Sequence, residues 1–320
     1  MKVIALEEHY LDPEVGKHFK EPGPEARVPA LKERLLDVGQ LRIKEMDEAG
    51  IDLQVLSHTA PATQRMDAET APKVARIGND RLKDTIDKSN GRFAGFASLP
   101  TANPKAAADE LERAVTKLGF KGAMVHGLTE VDGQRLFLDD KRFWPIFERA
   151  QALDVPLYMH PAMPHPAVVD AYYKDYAEQF PSILNAAWGF TVETATQGIR
   201  LVLSGVFEKY PGLKIVLGHL GEGLPFLLWR IDMALGRQGN RTTPFRETFR
   251  EHFWITTSGN FSTAALLCSV MEMGADRVLF SVDYPYVANP PGVRWMDHVP
   301  LATEDRDKIL AGNARKLLKL

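Results

Sequence analysis

Short β-rich runs alternate with longer amphipathic segments along the whole chain. Eight runs predict strands: VIALEEH, LQVLSHTA, FAGFASLP, GAMVHG, PLYMHP, KIVLGHLGEG, FWITTSGNF and VLFSVDYPY. The segments between them have the spacing of amphipathic helices, as in QLRIKEMDEAG, ARIGNDRLKDTIDKS, AAADELERAVTKLG and FWPIFERAQALD. This alternation is typical of βαβ units built on a parallel sheet, and it predicts an α/β fold.

Eight strand–helix repeats favour a closed (β/α)8 TIM barrel over an open doubly wound sheet, because no edge strand is obvious. LEEHY also stands where a dinucleotide-binding sheet would carry a glycine-rich phosphate loop. Two long connections, from Tyr10 to about Gly39 and from Pro161 to about Asn185, follow the first and fifth strands. In a barrel both would lie on the carboxyl rim. No linker or repeat divides the sequence, so we expect one barrel domain over residues 1–320.

Composition narrows the class of protein further. The 320 residues are 45% hydrophobic and 25% charged, which is enough for a large core, and the formal net charge is -3. Mild acidity without a dense Lys/Arg block argues against nucleic-acid binding. No apolar stretch is long enough to predict a membrane span, and no basic leader predicts secretion. The single cysteine, Cys268, cannot form an internal disulfide. We therefore expect a cytoplasmic protein in which Cys268 packs on a helix.

Polar residues stand at the ends of several predicted strands. Side chains alternate along a strand with period two, so Glu7 and His9 would face one side and Glu8 the other. In a barrel, four strand-end side chains would converge on one point at the carboxyl rim: Glu7, His9, His160 and Asp283. Two imidazoles and two carboxylates without a thiolate suit one Zn²⁺ or Mn²⁺ ion.

Each of these residues also has a structural interpretation. A single histidine at a strand end is more often a hydrogen-bonded core residue than a ligand, and Asp283 could start a turn with Pro285. Agreement of four positions on one face of one fold favours the metal site. Elsewhere, we expect His58 and His126 to hydrogen-bond to loops. Glu193 could orient a metal-binding histidine or pair with a cation.

Several motifs resemble a known family. LEEH, LYMHP, IVLGHLGEGLPF, ITTSGNF and LFSVDYP are similar to the metal-dependent decarboxylase branch of the amidohydrolase superfamily, of the γ-resorcylate and dihydroxybenzoate decarboxylase type. The likeness runs nearly from end to end. It implies a (β/α)8 barrel with one divalent metal ion on the four residues named above. It also implies a homodimer or homotetramer.

The resemblance also implies roles for further residues. His219 would be catalytic and supported by Glu222, while Asp283 would serve as both ligand and catalytic group. Arg230 in LLWRID matches a position associated with the substrate carboxylate, and Phe190 in AAWGFTVET matches one that packs against the substrate ring.

The expected reaction is loss of CO₂ from a small hydroxylated aromatic carboxylic acid. A phenol ortho to the carboxylate would chelate the metal together with one carboxylate oxygen. Asp283 would then donate a proton to the ring carbon, with His219 assisting. Asn260 is a candidate hydrogen-bond partner of the substrate, although Asn after Gly also commonly shapes a turn. The same ligands suit hydrolysis of an amide, lactone or ester, with Asp283 as general base. A binding module without catalysis is a third interpretation.

Overall fold

A computed structural model describes residues 3–20, 23, 28–236 and 244–320. Its strands are β1 (Ile4–Tyr10), β2 (Leu53–His58), β3 (Phe93–Gly95), β4 (Ala97–Ser98), β5 (Ala123–His126), β6 (Thr129–Val131), β7 (Gln134–Leu136), β8 (Leu157–His160), β9 (Ile215–Leu217), β10 (Phe253–Thr256) and β11 (Val278–Leu279). The longer helices are Pro29–Leu36, Gln40–Ala49, Thr70–Asp87, Pro104–Leu118, Trp144–Ala152, Gly189–Leu203, Leu224–Gly236, Phe245–His252, Thr263–Met273, Asn289–His298 and Asn313–Leu318. Shorter helical turns are Pro13–Gly16, Lys141–Phe143, Pro166–Val168, Val169–Tyr173, Lys174–Ala177, Pro181–Leu184, Val206–Lys209, Ala275–Arg277, Thr303–Asp307 and Lys308–Gly312.

The parallel strands form a ring. β1, β2 and β3 pair in one run, and β4, β5, β8, β9, β10 and β11 pair in another. β3 and β4 lie in one extended segment, 93–98, which joins the two runs. On the opposite side, the N–H of His9 donates to the carbonyl of Tyr284 at 2.6 Å and ties β1 to the segment that follows β11. The predicted (β/α)8 barrel is confirmed, and β6 and β7 add an antiparallel hairpin after β5.

One irregularity in β1 affects the site directly. Ile4 and Leu6 pack in an interior cluster with Tyr158 of β8 and Val216 of β9. Simple alternation from Ile4 would then turn Glu7 outward. The register between β1 and β2 shifts between Ala5 and Glu8, where β1 contains one extra residue. Because such a bulge changes the direction of the side chains that follow it, Glu7 can also reach the interior.

The outer helices follow the amphipathic pattern of the sequence. The helix Pro104–Leu118 begins after Asn103, whose side chain accepts the N–H of Ala106 at 3.1 Å, and it ends at Gly119 with a φ of 75°. Its buried face includes Ala107, Leu111 and Ala114, at the spacing of one helical stripe. An N-terminal cap of this kind contributes about 1 kcal/mol.

The rim connections contain short helices rather than extended loops. The connection after β1 contains the helices Pro13–Gly16 and Pro29–Leu36, and residues 21, 22 and 24–27 of it lie outside the described part of the chain. Cys268 lies on the helix Thr263–Met273, as expected. In the described ranges, every helix is too short or too polar to cross a bilayer.

Candidate metal centre and active site

Four side chains meet at the carboxyl rim of the barrel: Glu7, His9, His160 and Asp283. One donor atom from each lies within 4.8 Å of the other three. Nε2 of His160 is 3.2 Å from Oε1 of Glu7, and Nε2 of His9 is 3.3 Å from Oδ1 of Asp283. The first three residues are buried, whereas Asp283 is partly exposed. The fold therefore brings together residues that are up to 276 positions apart in the sequence (from 7 to 283). Asp283 lies in the segment after β11, which ends at Leu279, so the predicted strand VLFSVDYPY is too long.

Three of these donor atoms have no hydrogen-bond partner among the described residues. They are Oε1 of Glu7, Nε2 of His9 and Oδ1 of Asp283, and all three are buried. Buried polar atoms normally find partners, because leaving them unpaired costs free energy. Their convergence with a fourth donor fits one divalent ion that binds all of them. Two nitrogen and two oxygen ligands are compatible with Zn²⁺ or Mn²⁺.

Hydrogen bonds orient the imidazole of His160 toward the cluster. Its Nδ1 lies 2.6 Å from the carbonyl of Pro161. Since a carbonyl only accepts, Nδ1 carries the proton and Nε2 offers its lone pair to the cluster. Nδ1 of His126 lies 3.0 Å from Nδ1 of His160. Burial and the neighbouring imidazoles of His160 and His9 lower the pKa of His126 well below its ordinary value, so His126 stays neutral. The side chain of His126 thus contacts a cluster histidine.

Hydroxyl groups donate hydrogen bonds to the second carboxylate oxygen of Glu7, Oε2. Tyr158 Oη donates to Oε2 of Glu7, and Ser258 Oγ donates to the same atom at 2.5 Å. Thr256 Oγ1 lies 2.7 Å from Tyr158 Oη and 2.8 Å from Ser258 Oγ. Burial raises the pKa of Glu7, but the charge of His219 and the nearby imidazoles of His160 and His9 outweigh it and hold the pKa well below its usual range. Glu7 is therefore an ionised carboxylate with only Oε1 left for a metal.

The sequence analysis missed these three hydroxyl residues. A signal was present, because Tyr158 precedes His160 by two positions and Thr256 precedes Ser258 by two. Polar side chains at period two in an otherwise apolar strand indicate a polar face of that strand.

A left-handed turn holds His219. The φ angles of residues 219–223 are 51°, 57°, 75°, 54° and 75°. For a residue other than glycine, this conformation costs roughly 1–2 kcal/mol. Ser258 Oγ accepts the N–H of His219 at 3.1 Å and helps to fix the turn. The predicted strand KIVLGHLGEG is therefore too long: β9 ends at Leu217, because the following backbone leaves the extended conformation.

His219 faces the cluster from this turn. Its Nδ1 lies 2.7 Å from Oε1 of Glu222, and its Nε2 lies 3.6 Å from Oε1 of Glu7 and 3.8 Å from Oδ2 of Asp283. Burial lowers the pKa of His219, but the charges of Glu222 and Glu7 raise it well above the ordinary value. His219 is thus positioned to carry a proton close to Asp283.

The three predicted substrate-binding residues lie in different settings. Asn260 follows Gly259, and a Cβ at Gly259 would lie 3.3 Å from Oδ2 of Asp283. The Asn260 turn therefore lies against the cluster. Phe190 is half-buried in the first turn of the helix Gly189–Leu203. Arg230 is exposed on the helix Leu224–Gly236.

Glu193 takes neither of its predicted roles. It is buried, its Oε1 has no hydrogen-bond partner among the described residues, and no ion pair joins its carboxylate to a described cation. Burial raises its pKa. His58 follows its expected role, because Nδ1 lies 2.9 Å from the carbonyl of Thr59 and Nε2 accepts the N–H of Asp12 at 3.1 Å.

The chain is similar to characterised enzymes over its full length. The γ-resorcylate decarboxylase of Polaromonas sp. (strain JS666) is 42% identical over 327 residues, which cover 99% of this chain and 98% of the relative. The crystal structure of dihydroxybenzoic acid decarboxylase from Polaromonas sp. JS666, with bound manganese and the inhibitor 2-nitroresorcinol, superposes with a TM-score of 0.89 at 41% identity and covers 99% of this chain and 97% of that chain. The structure of 2,6-dihydroxybenzoate decarboxylase complexed with 2,6-dihydroxybenzoate has a TM-score of 0.90 at 40% identity, with 100% and 99% coverage. A family model described as amidohydrolase matches residues 24–320, and this chain belongs to that family.

Proposed function

We propose that this chain is a metal-dependent, non-oxidative decarboxylase of a small hydroxylated aromatic carboxylic acid, of the γ-resorcylate (2,6-dihydroxybenzoate) type. The observation that carries the proposal is the cluster of unpartnered donor atoms beside His219, in a chain 42% identical to a γ-resorcylate decarboxylase. Glu7, His9, His160 and Asp283 would hold one divalent ion. When bound, the ion supplies positive charge that attracts a carboxylate and its ortho phenol oxygen.

Asp283 and His219 would handle the proton. The carboxyl group of Asp283 is the most exposed of the four proposed ligands, and it would give a proton to the ring carbon bearing the carboxylate. The C–C bond then breaks, its electron pair returns to the ring, and CO₂ leaves. His219 lies 3.8 Å from Oδ2 of Asp283 and would restore its proton, while Glu222 holds the imidazole in place.

Other residues would bind the substrate. Phe190 would pack against the ring, Asn260 would hydrogen-bond to a ring substituent, and Arg230 would pair with the carboxylate. Their support is the family resemblance together with the position of the Asn260 turn against Asp283. Single alanine variants test the three roles, and each should raise KM more than it lowers kcat.

We also propose that the chain is one barrel domain that works in the cytoplasm as a homodimer or homotetramer. The support for association is an exposed apolar face on the helix Leu224–Gly236, where Phe226, Leu227 and Trp229 are 79%, 44% and 58% exposed. Arg230 lies beside these residues, so association through this face would cover it as well. Light scattering of the wild type and of Trp229→Glu tests this, since a monomeric wild type would contradict it.

A substrate panel tests the reaction. The protein loaded with Mn²⁺ is offered 2,6-dihydroxybenzoate, other ortho-hydroxybenzoates and benzoate, beside simple amides, lactones and esters. We expect CO₂ release from the ortho-hydroxylated acids and none from benzoate, which lacks the phenol. Cleavage of the acyl compounds alone would make the chain a hydrolase and overturn the proposal.

A further inference from the structure

Glu8 is the acidic residue of LEEH that the proposed chemistry leaves unused. Its side chain is 0% exposed. Oε1 accepts the N–H of Val282 at 2.9 Å, and Oε2 accepts the N–H of Tyr284 at 3.1 Å. These are the backbone N–H groups of the two residues that flank Asp283. One carboxylate on β1 therefore holds both backbone neighbours of a cluster residue from the other end of the chain.

Asp283 has a backbone conformation that needs such support. Its φ is 74°, in the left-handed region that residues other than glycine adopt only when their surroundings enforce it. In this conformation Oδ1 lies 3.3 Å from Nε2 of His9 and Oδ2 lies 3.8 Å from Nε2 of His219. A relaxed backbone at residue 283 would turn the carboxylate away from one or both of these partners.

The carboxylate of Glu8 is itself held firmly. Ser281 Oγ donates to Oε1 at 3.2 Å. The guanidinium of Arg42, which is also fully buried, donates from Nη2 to the carbonyl of His9 at 2.5 Å. The guanidinium carbon of Arg42 lies 4.6 Å from the centroid of the Tyr284 ring. Burial raises the pKa of Glu8 to about 8, while the charge of Arg42 opposes that rise. Arg42 thus contacts both the backbone of β1 and the segment after β11.

We propose that Glu8 is a positioning residue of the metal centre. By accepting both N–H groups around Asp283, it fixes the left-handed conformation that presents Oδ1 to the ion, and it does so before the ion binds. Glu8 contacts neither the ion nor the substrate. This inference rests on the metal site of the proposed function. It also gives the two adjacent acidic residues of LEEH separate roles. Glu7 would bind the ion, and Glu8 holds the backbone on both sides of another ligand, Asp283.

The variant Glu8→Gln tests this role with nearly unchanged volume. Its amide oxygen can accept one N–H, but its NH₂ group would face the other N–H. We expect the Kd for Mn²⁺, measured by competition with a chelator, to rise about 10- to 100-fold, the range typical when a partner of a metal ligand is lost. A Kd equal to that of the wild type would overturn the proposal.

Asn79→Ala is the matched control for general loss of stability. Asn79 is 1% exposed, and its side chain accepts the N–H of Ser98 at 2.9 Å. It therefore also holds a backbone group of a barrel strand, but β4 contributes none of the four donors. This variant should lose stability and keep the wild-type Kd for Mn²⁺. A comparable rise in its Kd would show that Glu8→Gln acts through stability alone and would overturn the proposal.

Hydrogen exchange on the wild type tests the role of Glu8 even if the variants do not fold. Hydrogen exchange at the amides of Val282 and Tyr284 should be slow both with Mn²⁺ and after its removal, because Glu8 holds them independently of the ion. Fast exchange that becomes slow only with Mn²⁺ would overturn the proposal.

The proposed function fails on different results, namely a wild type that binds no Mn²⁺ or releases no CO₂. Tight binding and turnover in the wild type together with an unchanged Glu8→Gln would refute the positioning role alone.

Discussion

Ser258 links Glu7 to the His219 turn: its hydroxyl donates to Oε2 of Glu7 at 2.5 Å and accepts the N–H of His219 at 3.1 Å. Ser258→Ala would leave a buried N–H without its acceptor and remove one of two hydroxyl donors to the carboxylate. We expect kcat to fall about 10- to 100-fold, a loss comparable to that of other partners of metal ligands. Steady-state kinetics measure this loss. The control is Ser269→Ala, a buried serine on the helix Thr263–Met273, which should retain full activity.

Gly218→Ala should disturb Glu7 through contact alone. The backbone of Gly218 has φ -72° and ψ -176°, which alanine adopts freely. Its Cβ, however, would lie 2.6 Å from Oε2 of Glu7. We expect at least a tenfold loss of Mn²⁺ affinity, on the order of that seen when a ligand is displaced by its surroundings. Metal analysis after dialysis measures it. Gly236→Ala, which meets nothing within 4 Å, should bind metal like the wild type, and equal affinity in both variants would refute the steric argument.

Glu222→Gln should separate charge from hydrogen bonding at His219. The glutamine oxygen can still accept from Nδ1, which lies 2.7 Å from Oε1 of Glu222, but the negative charge that favours the imidazolium is lost. Proton transfer by a positioned side chain is worth about 10²- to 10⁴-fold, so we expect kcat to fall by about 10²-fold at the lower end of that range. KM and bound metal should stay near the wild-type values. An unchanged kcat would show that proton transfer by His219 does not need the charge of Glu222.

His58 should make stability depend on pH below neutrality. Burial lowers its pKa from 6.5 to about 4, and its only acceptor position, Nε2, already accepts the N–H of Asp12. The unfolded chain therefore binds a proton between pH 6.5 and 4 that the folded chain does not. The stability from neutral His58 is complete above about pH 6.5 and is lost as the pH falls toward 4.

Denaturant unfolding of the metal-free wild type and of His58→Gln at pH 7.5 and pH 5 measures this dependence. The wild type should lose about 2 kcal/mol more than the variant over this interval, because 1.36 kcal/mol corresponds to each pKa unit crossed. The difference between the two proteins isolates His58 from the other histidines. Parallel losses would mean that His58 takes up its proton equally in the folded and unfolded chains.

The sequence predicted the barrel because the two-residue period of the strands and the 3.6-residue period of the helices are both clear. The runs from VIALEEH to VLFSVDYPY all contain strands, and the four amphipathic segments all contain helices. Lengths were less accurate where the backbone departs from regular geometry. KIVLGHLGEG looks like one strand, yet β9 stops at Leu217, because a left-handed turn has no hydrophobic period that a sequence could show.

The cluster of four donors was predictable because each donor lies near or just beyond the carboxyl end of a barrel strand, and such ends meet on one rim. The reasons why these four side chains point into the barrel were not predictable from the sequence. Simple alternation from Ile4 would turn Glu7 outward, and only the register shift before Glu8 brings it inside. The task of Glu8 depends on hydrogen bonds to residues 274 and 276 positions away, which no local pattern contains. Likewise, the exposure of Arg230 depends on the packing of its helix.

The turn over residues 219–223 limits how this enzyme can adapt to heat. Its three residues other than glycine together hold roughly 3–6 kcal/mol of unfavourable backbone energy, against the 5–15 kcal/mol by which a typical domain is stable. Straightening the turn would recover that energy and withdraw the imidazole from the rim. A thermophilic version of this chain must therefore gain its extra melting temperature elsewhere in the fold and leave the turn as costly as it is.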